Sequence, residues 1–305
     1  MDAREGLAER FEAQRGQLRA VAHRMLGSVD EADDAVQEAW LRLGRVDAGE
    51  LDNLAGWLRT VVTRICLDML RSRRSRREDL AEQQVLDHAL APLSNANATH
   101  GHGSTPEDEA LLADSVSRAL LVVLDTLAPA ERIAFVLHDM FAVPFEEIAP
   151  VVGRTQGATK KLASRARLKV QGSPVVPAAE LARHRRVVSA FLAAARAGDL
   201  TAILAVLAPD VVRRADPSAL PPGGAAEVRG ARAVAEGTAA LAHRSRLAEP
   251  ALVNGTVGAV VAPRGRLLFA LTFTIESDRI TEYEVIADPA RLRRLDLAVL
   301  DRPGT

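Results

Sequence analysis

Residues 145–170, FEEIAPVVGRTQGATKKLASRARLKV, constrain the fold of this chain more than any other stretch. Ile148, Ala149 and Val152 recur at helical spacing, Gly153 interrupts them, and Thr155 stands where a second helix needs an N-cap. Glycine supplies the positive φ of a tight interhelical turn, and the threonine hydroxyl accepts from a free first-turn N–H. Small Ala149 lets the two helices cross closely, so the segment predicts a helix-turn-helix. From Ile148 to Ala179 there is no acid, while Arg154, Lys160, Lys161, Arg165, Arg167 and Lys169 are all basic. In such a motif the second helix lies in the major groove of DNA with its N-terminal residues at base edges. Gln156, Lys160 and Lys161 then face bases or nearby phosphates, Arg165 and Arg167 grip the backbone, and Arg154 and Thr155 complete the set at the turn. Gly157 costs that helix roughly 1 kcal/mol against alanine, and Thr159 falls where a side chain should pack inward.

The net charge of −1, from 39 basic and 40 acidic side chains, does not oppose this reading. Electrostatic recognition depends on local patches rather than on the sum. Between Met25 and Leu41 there is no Lys or Arg, but there are Asp30, Glu31, Asp33, Asp34 and Glu38. On a helix, Asp33, Asp34, Gln37, Glu38 and Leu41 share a stripe, and Trp40 and Leu41 give it an apolar edge. Two readings fit: a docking face for a basic helical partner, or a solvated face with acids favoured near the helix N-terminus. From Arg59 to Arg77 the balance reverses, with seven arginines against Asp68 alone. Arg71, Arg73 and Arg74 belong to a cluster denser than a helix C-terminus requires, and clustered guanidinium groups bind phosphates well. Trp57 at the start of that helix is either a stacking platform for an unpaired base or a core residue.

Around these patches the chain falls into parts. Residues 1–82 are proline-free with periodic apolar positions, predicting three helices. One ends at Gly27, the second is capped by Asp30 and runs to about Leu43, and the third spans about Leu54–Arg77. Its apolar face is Leu58, Val61, Val62, Ile65, Leu67 and Met69. Residues 83–110 read as a flexible linker with too few apolar groups to offset the entropy of ordering. Residues 111–171 are helical again, 172–179 form a second linker, and 180–305 change type. There, helices over about Glu180–Ala197 and on to Leu207 precede a strand near Val211–Arg213, a Pro/Gly-rich loop and a helix from Gly230 to about His243. Strand-like runs follow at Ala251–Asn254, Val257–Ala262, Leu267–Ile275 and Ile280–Ala287, with hairpin signals at Asn254-Gly255 and Ser277-Asp278. A last helix is expected over about Pro289–Leu300. The fold class is multidomain: two all-α domains, the second with the helix-turn-helix, then an α+β domain.

In order, DDAVQEAWLRL from Asp33, WLRTVVTRICLDMLRSRRSRRE from Trp57 and LLVVLDTLAPAERIAFVLHDMFAVPFEEIA from Leu120 resemble the extracytoplasmic-function (ECF) group of bacterial sigma factors. The resemblance covers roughly residues 8–82 and 111–171 and departs at Arg64, where many members carry Asn. It implies core RNA polymerase and promoter DNA as partners. Asp33, Asp34, Gln37 and Glu38, with Trp40 and Leu41, would meet the polymerase. Trp57, Arg64, Asp68, Arg71, Arg73 and Arg74 would lie at the −10 region, and the helix-turn-helix set at −35. The run AFLAAARAGDLTAILAVLAPDVV from Ala190, with the strands after it, resembles SnoaL-like domains of the cone-shaped α+β fold. Some members of the group carry such an extension, which there modulates activity in place of a separate anti-sigma protein, so an intramolecular contact between the C-terminal domain and the sigma domains is expected here. ADPARL from Ala287 is similar to the Asn/Asp-Pro-x-x-Leu motif of those extensions. The first linker, however, lacks their Trp-Leu-Pro, and the loop Arg214–Gly224 has Asp-Pro where Asp-Gly-Gly-Gly is expected.

No enzyme is expected, because polymerase supplies the catalysis. In the tail, Glu276, Asp278, Glu282, Tyr283, Glu284 and Asp216 are the titratable candidates for an acid/base pair. Asp278 reads as a turn residue and Glu282/Glu284 as a solvent face, while His184 and His243 sit on helices. His100 and His102 are too few to hold a metal, and Cys66, the one cysteine, excludes an intrachain disulfide. No cofactor is expected, and a small ligand of the tail stays open. The charged N-terminus and the lack of a long apolar run place the protein in the cytoplasm. The competing reading is a helix-turn-helix repressor with a ligand-binding tail. The acidic stripe and arginine helix together discriminate against it, since a repressor needs neither in combination.

Overall fold

The computed structural model describes residues 3–46, 53–87, 117–220 and 223–300. By internal contacts the chain forms two compact units, Met1–Ser115 with Ala128–Ser164, and Val116–Leu127 with Arg165–Thr305. Most of the expected linker 83–110, with His100 and His102, lies outside the described residues.

In the first unit, α1 (Ala3–Leu26), α2 (Val29–Leu43) and α3 (Leu54–Asp87) pack around a shared core. Leu18, Val21, Ala22 and Met25 of α1 meet Ala32, Val36, Ala39 and Leu43 of α2 and Leu58, Val62, Ile65 and Cys66 of α3, all buried. Val61 and Met69, expected on the α3 core face, are half-buried instead. Burial pushes the Cys66 thiol up to about 12, so it behaves as a small apolar side chain. Gly27 turns the chain at φ +76°. The N-cap of α2 is Ser28, whose hydroxyl accepts from the Glu31 N–H at 3.4 Å. Asp30, expected there, falls inside the first turn, where its charge favours the helix N-terminus. Helix α3 runs ten residues past the expected end at Arg77, since no glycine or proline intervenes to stop it.

The second unit contains α4 (Arg118–Asp125), reached from Ser117, then α8 (Ala178–Ala197), α9 (Leu200–Val206) and α10 (Ala231–Ala240) around one sheet. Between α4 and α8 the chain forms α5 (Pro129–Phe135), α6 (Phe145–Val152) and α7 (Gln156–Gln171). The strands are β1 (Leu207–Ala215), β2 (Glu227–Arg229), β3 (Ala248–Val253), β4 (Thr256–Val261), β5 (Phe269–Glu276), β6 (Arg279–Ile286) and β7 (Leu297–Ala298). Their order is β2-β1-β6-β5-β4-β3-β7, with β1 parallel to β6 and every other pair antiparallel. Asn254 and Gly255 take φ +52° and +76°, and Ser277 and Asp278 take +50° and +60°. These left-handed pairs match the right-handed twist of the flanking strands. The expected helix over Pro289–Leu300 ends at Leu292, because Leu297 and Ala298 pair with Val253 and Leu252 at the edge of β3. Val188, Phe191, Leu192, Ile203, Val234, Val257 and Ile280 are buried between helices and sheet.

The Asp-Pro of the loop and the ADPARL turn meet. Asp216, its side chain only 11% exposed, accepts from the Ala287 and Asp288 N–H groups at 2.9 Å each and from Arg291 at 2.5 Å. Burial alone would raise its carboxyl, but those donors outweigh it and hold the group below the ordinary aspartate value. A carboxyl depressed by folding stabilises fully above the unfolded value of about 3.9 and loses that contribution as pH falls through the folded value. Asp216→Asn is therefore expected to cost about 1–2 kcal/mol at neutral pH and to flatten the acid limb of stability. Denaturant titrations from neutral pH to about pH 3 check this. Wild type and variant losing stability in parallel through acid would show that the ionised carboxylate is not the anchor.

Candidate nucleic-acid interface

Gly153 ends α6 at φ +67°, ψ +41°, the left-handed conformation that the interhelical turn requires. Thr155 caps α7, its hydroxyl accepting from the Ala158 N–H at 3.2 Å. Thr159 is fully buried, and its hydroxyl donates to the Thr155 carbonyl at 2.9 Å, so the inward polar residue is satisfied by its own helix. Ala163, Ala166 and Val170 continue that buried face. On the opposite side Arg154, Gln156, Lys160, Lys161 and Arg165 are exposed and Arg167 is half-buried. Lys160 and Lys161 take no ion pair with any described residue, and no acid on α7 offsets them. A Cβ at Gly157 would meet nothing within 4 Å, and its φ is ordinary. Nothing inside the protein calls for glycine there.

Helix α3 spreads its candidate residues between two roles. Arg64, Asp68, Arg71 and Arg74 are exposed, with Arg71 3.8 Å from Asp68, and Trp57 is half-buried in the first turns. Arg73 is turned inward. It donates to the Leu26 carbonyl at 2.9 Å and pairs with Glu31, fixing α3 to the α1–α2 junction. Arg59, outside the expected set, pairs with Glu147 of α6 at 2.9 Å. The spacing of arginines along one helix gave no signal for either partner.

On α2, Asp33 pairs with Arg19 of α1 at 2.7 Å and Glu38 with Arg42 at 2.9 Å. Asp34 and Gln37 are exposed. Trp40 is 36% exposed and Leu41 51%, with the Trp40 ring 4.9 Å from Phe11. The stripe is thus an apolar edge beside Asp34 and Gln37, flanked by two acids that already hold local partners.

Sequence reading missed Glu249 of β3, a solitary acid in AEPALV. Its carboxylate accepts from the Ser117 hydroxyl at 2.7 Å and the Ala119 N–H at 3.1 Å, and pairs with Arg118 at 3.1 Å. Val299 N–H donates to the Val170 carbonyl at 2.9 Å, tying the end of α7 to the chain after β7. Glu282 pairs with Arg214, and Glu284 with Arg291 at 2.8 Å, so the expected solvent face of β6 is a row of ion pairs. Among the described residues no cluster of three or more metal-ligating side chains occurs, and no helix is long and apolar enough to cross a membrane.

Residues 10–76 match the model of Sigma-70 region 2, and residues 117–170 that of Sigma-70, region 4. The "Probable ECF RNA polymerase sigma factor SigI" of Mycobacterium tuberculosis is 35% identical over 295 residues, 96% of this chain and 97% of that one. The ECF RNA polymerase sigma factor SigJ of the same organism is 38% identical over 258 residues, 83% of this chain and 80% of that protein. A crystal structure of SigJ covers 93% of this chain and 98% of its own at 32% identity and a TM-score of 0.45. A SnoaL-like protein of unknown function from Burkholderia thailandensis is similar over 34% of this chain and 93% of its own, at 18% identity and a TM-score of 0.27. The region 2 match contains the acidic α2 and the arginine cluster of α3, the region 4 match contains nearly all of α7, and the likeness to SigI runs through the tail as well. On these grounds the chain belongs to the ECF sigma factors of RNA polymerase.

Proposed function

We propose that this sigma factor divides its work among parts with the boundaries 1–82, 111–171 and 180–305, joined by linkers at 83–110 and 172–179. The first part docks core RNA polymerase through Asp33, Asp34, Gln37, Glu38, Trp40 and Leu41. It meets the −10 region through Trp57, Arg64, Asp68, Arg71 and Arg74, while Arg73 serves there by holding the helix. The second part reads the −35 element with Arg154, Thr155, Gln156, Lys160, Lys161, Arg165 and Arg167. The protein works in the cytoplasm with its polymerase and needs no cofactor of its own. The observation that carries this reading is the acid-free, outward-facing basic surface of α7 in one chain with the acidic, apolar-edged α2. A repressor reading duplex DNA alone has no use for the second.

The third part, SnoaL-like, modulates activity by contact with the sigma domains. The three bonds of Glu249 to residues 117–119, where the region 4 match begins, support this. The test is run-off transcription with purified full-length chain and core RNA polymerase. Wild type is expected to bind polymerase and initiate at specific promoters, and Glu249→Ala to change output at least threefold at unchanged polymerase affinity. Unchanged output in both Glu249→Ala and Glu249→Arg would remove the regulatory contact. Tight duplex binding by the free chain with no polymerase association would overturn the assignments on α2.

A further inference from the structure

The sheet and helices α8 and α10 enclose a cavity of about 340 Å³ in the second unit. Its volume is at the small end of ligand pockets, roughly 300–1,000 Å³, and equals about ten waters at ~30 Å³ each. The walls are overwhelmingly apolar, with Phe191, Leu271 and Val285 among them. Arg213, Thr238, Ser245 and Tyr283 are the polar residues of the lining, and none of the described lining residues is an acid.

Pairing in the sheet sets which side chains enter. Arg213 of β1 stands opposite Tyr283 of β6 and Val228 of β2, and all three line the cavity. Its neighbour Arg214 points the other way and is held by Glu227 at 3.1 Å and by Glu282. Arg213 has no hydrogen bond or ion pair with any described residue. The hydroxyls nearby are already committed. Thr238 donates its one proton to the Val234 carbonyl at 2.8 Å. The 2.9 Å contact between Thr238 and Tyr283 must then be made by the phenol proton. What remains is a guanidinium at an apolar cavity with no counterion among the described residues, an arrangement that favours an anion able to accept two parallel N–H bonds. One guanidinium matches one negative charge. A dianionic phosphate would leave charge uncompensated among these walls, whereas a carboxylate carries a single charge and an apolar body together. Acid–base turnover of a substrate is disfavoured, because the phenol proton is committed to Thr238 and no carboxylate or imidazole is among the described lining residues.

We propose that this cavity is a binding site for a small apolar carboxylate of roughly ten to fifteen non-hydrogen atoms, with its carboxylate on Arg213 and its hydrocarbon or aryl body among Phe191, Leu271 and Val285. The site goes beyond promoter recognition and is tested without polymerase. Isothermal titration of the full-length chain would use octanoate and 4-phenylbutanoate, each against its neutral amide. At least one acid is expected to bind ten or more times tighter than its amide. Arg213→Gln is expected to erase that preference while leaving amide binding in place. Gly237→Leu fills the cavity from α10, where a Cβ meets nothing within 4 Å. It is expected to abolish binding while the melting temperature shows a folded protein. Equal affinities for acid and amide, a preference that survives Arg213→Gln, binding that survives Gly237→Leu, or no saturable binding of either acid up to millimolar concentration would each overturn the proposal.

Discussion

Replacing both Lys160 and Lys161 by glutamate is expected to lower promoter-directed transcription by about a hundredfold or more, while the melting temperature changes by only a few degrees. Both side chains are exposed on α7, and the face that holds the helix in place is Thr159, Ala163, Ala166 and Val170. Because α7 contains no acid, two glutamates would turn a uniformly attractive surface into one that opposes phosphate. The alanine pair separates charge from repulsion. A lysine that neutralises one phosphate contributes about −0.9 to the slope of log K against log salt. Lys160→Ala with Lys161→Ala should therefore make the salt dependence of promoter binding shallower by about two. Gln156→Ala should leave that slope alone and instead relax discrimination at one base pair by about 1–3 kcal/mol. Gly157→Ala should stabilise the helix by up to about 1 kcal/mol, since the added methyl meets no protein atom. A loss of promoter binding in that stabilised variant would mark Gly157 as a point of close approach to DNA. Should the alanine pair bind promoter DNA with unchanged affinity and slope, α7 is not the DNA-facing helix.

Local chemistry explains what was legible in the sequence. Gly153, Thr155 and the two left-handed turn pairs act through their own backbone or the next three residues, so the motif states the geometry. Helix faces follow from period alone, and Thr159 is inward because its position is, whatever its polarity. Failures came where a partner lies far along the chain. Ser28 and Asp30 are both good caps, and only the path after Gly27 decides between them. The stretch after Leu292 has helical composition, yet pairing with β3 overrides so weak a preference. Arg73 and Asp33 fit their patches by spacing, but Glu31 and Arg19, supplied by neighbouring helices, take them. The three bonds at Glu249 span 130 to 132 positions, and no local pattern encodes such a meeting. The cavity is drawn from helices and strands across the whole tail. Only the alternation of Arg213 and Arg214 along β1 hinted that one arginine faces inward.

Asp34→Lys combined with Leu41→Lys is expected to weaken association with core RNA polymerase by about two orders of magnitude, with little change in the stability of the free protein. Leu41 is half exposed and Asp34 lies on the surface, so neither change opens a cavity in the core of Ala35, Val36, Ala39 and Leu43. Leu41 is exposed among acids, and Trp40, its ring against Phe11, still leaves part of its surface open beside it; such apolar patches mark interaction sites. Truncating a central aromatic or apolar anchor commonly costs 2 kcal/mol or more, about thirtyfold in affinity. Charge reversal beside it adds slower encounter with a basic partner surface. Asp33 and Glu38 contribute differently, because Arg19 and Arg42 neutralise them in the free chain. Surface pairs of this kind are worth about 0–1 kcal/mol, so a polymerase cation can exchange with either at small cost. Single charge reversals at those two positions should consequently weaken binding less than at Asp34. Equilibrium titration of labelled polymerase at two salt concentrations measures all of these. Trp57→Ala provides the contrast: polymerase affinity within a factor of two of wild type, but impaired promoter opening. A double variant that binds polymerase as tightly as wild type would place the docking face elsewhere and return the α2 stripe to a solvated helix surface.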